Sequence, residues 1–294
     1  LKKEVTIIPD VALSGFSFGA LLATEPKNRK DVGSFHFFES DVRIDYVTSA
    51  LFLQSLQVEK EQSATEIYAF APFAKRGIDE SENLSFRSVE KEMQDIIIDN
   101  VAYFKPLPAS KSEVEKIVKL TKGTLFLDEE ANISRLLAVL NKDNTILHLA
   151  THSVNNMGNS KYSYIAFSDD NTYGNFLSLN DINLLKINSR LIVMSSCESG
   201  AGVIHSGEGV IGLTYGLLSA GAKSVISSLW VVDDKATQEL MTDFYENLYK
   251  GQNTSKALHR AKLSLIQGSK KLYKHPFFWS AFNLYGQSRI MYMN

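Results

Sequence analysis

The chain holds one cysteine in 294 residues, Cys197. That excludes an internal disulfide framework and suits a reducing, cytoplasmic setting. Six prolines are present, and no Pro/Gly/Ser-rich linker, low-complexity segment or internal repeat divides the sequence. Neither sign of charge is in excess. With 31 basic and 33 acidic residues the net charge is −2, which gives no reason to expect nucleic acid or an anionic membrane surface as a partner. No apolar run reaches the length of a membrane span. The first ten residues carry charge without the long apolar stretch of a secretory signal. An initiator Met is also missing, which we read as the mark of a longer protein with a further domain outside this sequence.

What is present is the composition of an ordinary globular protein, 44% hydrophobic and 22% charged, long enough for one large or two smaller domains. Residues 1 to about 105 hold short β-type pieces at 5–8, 44–47 and 66–71 between charged, irregular stretches, and a Ser88-capped helix over 88–99. From about residue 106 the alternation becomes regular. Strands are expected at 145–150, 190–195, 221–230 and 281–285. Helices are expected at 111–120 (opening on Ser110 or Ser112), 132–141, 210–219, from Asp233 or Asp234 to 250 with Gly251 as the stop, and from Thr254 or Ser255 to 267. Strands alternating with helices of this length predict a parallel sheet covered by helices. The change of character sets a boundary near 105, between an N-terminal half (1–105) and a main domain (106–294).

Two apolar runs end on reactive side chains. Leu191-Ile-Val-Met-Ser-Ser-Cys197 ends on the thiol, and Thr145-Ile-Leu-His-Leu-Ala-Thr-His152 ends on an imidazole. Alone, a cysteine is ordinarily a small buried apolar residue. Together, each just past a strand and just before a polar loop, the two occupy the carboxyl-end rim where open parallel sheets build their sites. A thiol attacks as thiolate, and a neighbouring histidine can take its proton. The backbone N–H groups of Cys197 and Ser153, in the turns after their strands, are candidates to hold the developing oxyanion. Ser195, Ser196, Ser199 and Gly200 leave room for a peptide backbone. Ser196 is an alternative nucleophile, but thiolate chemistry at its neighbour is easier. No third member stands out; Asp169 and Asp170 are candidate orienters.

Three other patterns carry less. Gly207-Glu-Gly-Val-Ile-Gly212 fits G-x-G-x-x-G, yet it begins about ten residues after its strand, where a dinucleotide fingerprint needs a tight turn. His148 and His152 have the i, i+4 spacing of metal ligands on a helix. On a strand they lie about 13 Å apart at about 3.3 Å per residue, so no shared metal is expected and His148 reads as a core residue. The turn at Ser199 lacks the G-x-S-x-G of a serine hydrolase. No cofactor is implied.

The next strand ends in Trp230-Val-Val-Asp-Asp234, on the same rim as Cys197. Asp233 and Asp234 read first as helix caps. One of them can also line a substrate pocket, beside Trp230 and Glu198, and select Lys or Arg by charge pairing. No Arg lies at 153–160 or 198–209 to serve a substrate acid instead.

Taken together, His148-Leu-Ala-Thr-His152, Ile192-Val-Met-Ser-Ser-Cys-Glu-Ser-Gly200, Gly207 to Leu213, Ala220 to Trp230, Asp233 to Thr237, Phe244 to Leu248 and His275-Pro-Phe-Phe-Trp-Ser-Ala-Phe282 resemble, in order, the motifs of the CHAT family. Pro9-Asp10, Phe18 to Leu21 and Tyr46 to Ala50 resemble its more degenerate N-terminal part. CHAT proteins are caspase-like cysteine peptidases, in the clan of caspases, separases, gingipains and clostripain. The resemblance implies a caspase-like three-layer α/β/α fold with a mainly parallel central sheet, preceded by a smaller N-terminal α/β half. It implies His152 as base and Cys197 as nucleophile of an endopeptidase working through a thioacyl-enzyme on a protein substrate. It also implies a sensor or tetratricopeptide-repeat domain as partner. Separases and clostripain prefer a basic residue before the cut. The family's usual residue after the histidine is glycine, and this chain has Ser153; a positive φ there would strain it, whereas use of its N–H alone would not. The alternative is a catalytically inactive caspase-like interaction module.

Overall fold

In the computed structural model the described residues are 3–9, 13, 15–55, 65–75, 104, 106–154, 163–195 and 208–288. The elements, in chain order, are β1 (Glu4–Ile7), α1 (Phe38–Asp41), β2 (Arg43–Tyr46), α2 (Ala50–Ser55), β3 (Glu66–Ala71), α3 (Pro108–Thr121), β4 (Thr124–Leu127) and α4 (Ile133–Leu140). Then come β5 (Thr145–Leu149), β6 (Ser153–Val154), β7 (Tyr164–Ala166), β8 (Phe176–Ser178), α5 (Leu179–Leu184), β9 (Leu191–Met194) and α6 (Glu208–Ser219). The chain closes with β10 (Ser224–Ser228), α7 (Asp234–Tyr249), α8 (Thr254–Gln267), α9 (Pro276–Trp279) and β11 (Phe282–Gly286).

Eight strands form one sheet in the order β1-β2-β11-β10-β9-β5-β3-β4. Every pairing in it is parallel except β10 with β11. The sheet takes strands from both sides of residue 105, and β3 lies between β5 and β4.

Alternation along the central strands explains the three layers. On β9, Ile192 and Met194 join one apolar cluster and Leu191 and Val193 the other. On β5, Leu147 and Leu149 face the first cluster and Ile146 the second. Helices α4, α5 and α6 supply Leu136, Ile182 and Leu217 to the first; α3, α7 and α8 supply Ile117, Leu240, Phe244 and Leu258 to the second. A strand with no solvent face is mainly apolar, which is why β9 is an uninterrupted run and β5 holds a single imidazole, His148, in its interior. Each such Leu, Ile or Phe contributes about 1.5–3 kcal/mol by leaving water. The result is an α/β/α sandwich around a mainly parallel sheet.

Most expected elements form within a residue or two. Helix α3 differs: it opens on Pro108 after Leu107, and Ser110 and Ser112 instead donate their hydroxyls to the carbonyls of Leu107 and Ala109. Proline at the first turn lacks only an N–H that would have no helical partner. Asn253, one residue earlier than expected, caps α8. Strand β4, helix α5 and the small antiparallel sheet β6-β7-β8 were not anticipated. The expected helix at 88–99 lies outside the described residues.

Gly221 ends α6 in a Schellman turn. Its N–H donates to Leu218 O (3.1 Å) and that of Ala222 to Leu217 O (3.1 Å). Its φ is +119°, and a Cβ would stand 2.3 Å from Ile187 O. Gly221→Ala is therefore expected to cost about 1–3 kcal/mol from backbone strain alone. Thermal unfolding should show a fall of several degrees; an unchanged melting temperature would mean the turn yields freely.

Candidate active site at the carboxyl rim of the sheet

Strands β5 and β9 are hydrogen-bonded neighbours, with Leu149 opposite Met194. The pairing runs one step further, Ser195 N–H donating to Leu149 O (3.2 Å). His152 follows Leu149 by three residues, and Cys197 follows Met194 by three. Cys197 and Glu198 lie outside the described residues.

His152 is 4% exposed. Its ring stacks on Phe104 (centroids 5.4 Å apart, 19° between planes) and meets Phe73 at 5.1 Å and 52°. Leu107 N–H donates to Phe73 O (2.6 Å), tying the start of α3 to the chain after β3. The main chain around His152 is fixed on both sides, by Thr151 Oγ1 donating to Ala166 O (2.7 Å) and by Ala166 N–H donating to His152 O (2.9 Å).

Ser153 opens β6 opposite Ile165. It is absent from the residues with positive φ, so serine in place of the family's glycine carries no backbone strain here. Because His152 O accepts from β7, the pleat turns the N–H of Ser153 away from that strand.

The two acids after β10 have separated tasks. Asp233 caps α7, its Oδ1 accepting from Ala236 N–H at 3.0 Å. Asp234 lines a cleft together with Glu113 of α3, Ser195, Ser228, Thr237 and Leu107. Trp230 donates its Nε1–H to Phe277 O (3.0 Å) and packs against the second apolar cluster; it is not among the cleft residues.

Asp170 is held elsewhere. Partial burial works against its ionisation, but hydrogen bonds from Ser134, Tyr173 and Thr172 outweigh this and bring its carboxyl down to about 2. It clamps its own loop to α4. His148 is fully buried, between Glu113 and Tyr245. No metal-binding group of His, Cys, Asp and Glu occurs among the described residues. None of their helices is long and apolar enough to cross a membrane.

Sequence reasoning passed over Glu113, Phe73 and Phe104. Glu113 had a signal: it falls on the inward stripe of α3, with Ser110, Val114, Ile117 and Thr121, where an acid is out of place.

The layered, mainly parallel sheet sets the strand that leads to His152 beside β9, the strand that precedes Cys197 in sequence, as the resemblance to the CHAT family implies. The CHAT domain model matches residues 1–287, and the chain belongs to that family. It is 33% identical to mouse tetratricopeptide repeat protein 28 over 110 residues, 37% of this chain and 4% of that protein. With the human protein of that name it shares 26% identity over 214 residues, 62% of this chain and 8% of the relative. The chain thus spans less than a tenth of these relatives. Among solved structures, the separase–securin complex of Saccharomyces cerevisiae aligns over 84% of this chain and 14% of the other at 18% identity and a TM-score of 0.48. The Arg-specific cysteine proteinase gingipain R aligns over 86% and 56% at 10% identity and a TM-score of 0.49.

Two outcomes test this geometry without any assay of activity. Asp233→Ala should lower stability by about 1 kcal/mol, and Asp233→Ser should restore most of it, by loss and recovery of a cap; equal unfolding midpoints for all three proteins would discount the cap. Phe104→Ala should uncover the face of the His152 ring that Phe104 now covers, so that carbethoxylation at His152, followed by mass spectrometry, becomes several-fold faster. A rate equal to wild type would show that Phe104 does not shield it.

Proposed function

We propose that the chain is a cysteine endopeptidase domain with His152 and Cys197 as its catalytic dyad. The observation that carries this reading is the β5–β9 pairing: the two residues follow a matched pair of positions, Leu149 and Met194, by the same three residues on adjacent parallel strands. Family membership supports it.

In the proposed reaction the Cys197 thiolate attacks the scissile carbonyl carbon, with His152 taking the thiol proton. The N–H groups of Ser153 and Cys197 hold the oxyanion. As the intermediate collapses, the C–N bond breaks and His152 returns its proton to the leaving amine. Water, deprotonated by His152, then hydrolyses the thioacyl-enzyme and releases the carboxylate and the thiol. Asp234 in the cleft gives the pocket a negative charge suited to a basic residue before the cut, and the neighbour of the nucleophile, Glu198, is proposed to add to it. A tetratricopeptide-repeat or other sensor domain is proposed to control access, in line with the relatives' name.

The close cover of Phe104 and Phe73 over His152 favours, as a second reading, an interaction module whose imidazole does no chemistry. An activity-based thiol probe separates the two. Cys197 should be labelled, and His152→Ala should abolish labelling. Each of Cys197→Ala and His152→Ala should cut peptide turnover on the order of a thousandfold or more, because the pair acts as a unit. Wild-type protein that takes up no probe and cleaves no peptide would leave only the module reading.

Specificity has its own test. Asp234→Ala should cost about 2–5 kcal/mol of transition-state binding for substrates with Arg or Lys before the cut, if that charge pair is desolvated. A peptide library in which wild type prefers Asp or a large apolar residue at that position would overturn the assignment.

A further inference from the structure

A second cleft, of about 910 Å³, lies at the β1–β2 edge of the sheet, where α8 packs against α1 and β2. It shares no residue with the cleft at the carboxyl rim, and β11 and β10 stand between β2 and β9 in the sheet. Its walls are basic. Lys256, His259 and Arg260 come from α8, Lys3 from just before β1, and Arg43 from the start of β2. Among the described residues that line it, Asp41 is the one acid.

Part of this charge is already matched. Arg43 pairs with Glu4, and His259 Nδ1 lies 3.0 Å from Glu39 Oε1. Asp41 in turn lies 3.0 Å from His36 Nε2, and Asp243 accepts from the hydroxyl of Ser264 beside the cleft. Lys3, Lys256 and Arg260 are exposed and have no ion-pair partner among the described residues. Three uncommitted cations in one cleft stand apart on a chain whose net charge is −2. A concave surface lined by one sign of charge concentrates ligands of the other.

The shape of the cleft selects among anions. Lys256 and Gln267 lie about 16 Å apart along α8, at about 1.5 Å of rise per residue. An extended peptide covers that length with about five residues at about 3.3 Å each. Asn247, Gln267 and Ser40 add amide and hydroxyl groups that can meet a peptide backbone. A single phosphate would need cations converging on one point, and here they are spread along the cleft. No Phe, Tyr or Trp is among the described lining residues, so nucleic-acid bases would find no ring to stack on.

We propose that this cleft binds an acidic segment of a protein partner, an extended run of about five residues rich in Asp or Glu. Lys256 and Arg260 on one wall and Lys3 on the other pair with its carboxylates. The inference does not depend on the peptidase reading, because the cleft shares no residue with the proposed dyad or its pocket.

The probe is fluorescein-labelled hexaglutamate, titrated with the full chain at low ionic strength and followed by anisotropy. Wild type should bind it saturably, more tightly than labelled hexaglutamine, and more weakly as salt is added. Lys256→Glu combined with Arg260→Glu removes two pairings and adds two repulsions, and should weaken binding about tenfold or more. Lys3→Glu, on the opposite wall, should weaken it several-fold, and decides the matter where the double variant fails to fold. Lys119→Glu combined with Lys186→Glu makes the same change of net charge at exposed residues outside the cleft, and should bind as wild type does. No binding by wild type, or an equal loss in this control, overturns the proposal. So does tighter binding of labelled oligothymidylate than of hexaglutamate, which would assign the cleft to nucleic acid.

Discussion

Burial of β5 and β9 on both faces is the constraint on which the rest of the structure depends. A strand covered above and below can carry almost no polar side chain in its interior. Reactive groups can then appear only where the strands run out, and the register of the pair decides which residues arrive there together. Leu149 opposite Met194 is that register. Shifting one strand by a single residue would exchange its two faces and drive Leu147 and Leu149 out of the cluster they share with Ile192 and Met194. The packing of the two cores and the placement of His152 relative to the end of β9 are thus one property.

His148 is the exception inside β5, and its partners explain it. Glu113 comes from α3 and Tyr245 from α7, so one imidazole joins two helices to the sheet between them. A polar group so placed adds little net stability while satisfied, but removing one partner leaves the others buried and unpaired. A comparable device ties down the far end. Glu39 of α1, 1% exposed, accepts from His259 (3.0 Å) and Lys262 (3.5 Å) of α8. Gly19 leaves the space for it, since a Cβ there would fall 2.3 Å from Glu39 Oε2. Both bridges fix which helix lies where, which apolar contact alone leaves interchangeable.

How much of this was legible in the sequence follows from the range of each signal. Thr145–Leu149, Leu191–Met194 and Ser224–Ser228 are fully buried strands, and the apolar runs they belong to announce themselves without any partner in view. Asn132 and Asp233 mark helix starts by chemistry that spans three residues, and Gly251, at φ +78°, marks a stop. Strands β6 and β8, of two and three residues, are too short to show a period. Glu113 was missed because its meaning depends on His148, 35 residues away, and Tyr245, 97 further on. Phe104 was missed for the same reason: an aromatic residue in an irregular stretch signals nothing until its ring is seen on His152. Local rules gave the strand ends; only the fold gave what surrounds them.

Asp233 and Asp234 show how one helix terminus can serve both stability and recognition. The first turn of α7 presents unpaired N–H groups and the positive end of its dipole, which favours negative charge there by roughly 0.3–1 kcal/mol. Asp233 meets one of those N–H groups directly. Asp234, a residue later, gains from the same field while its side chain stands in the cleft with Glu113. The helix terminus supports a negative charge at Asp234, and the His148 hydrogen bond holds one oxygen of Glu113. The two acids of the cleft are thus placed by separate supports, one from α7 and one from β5.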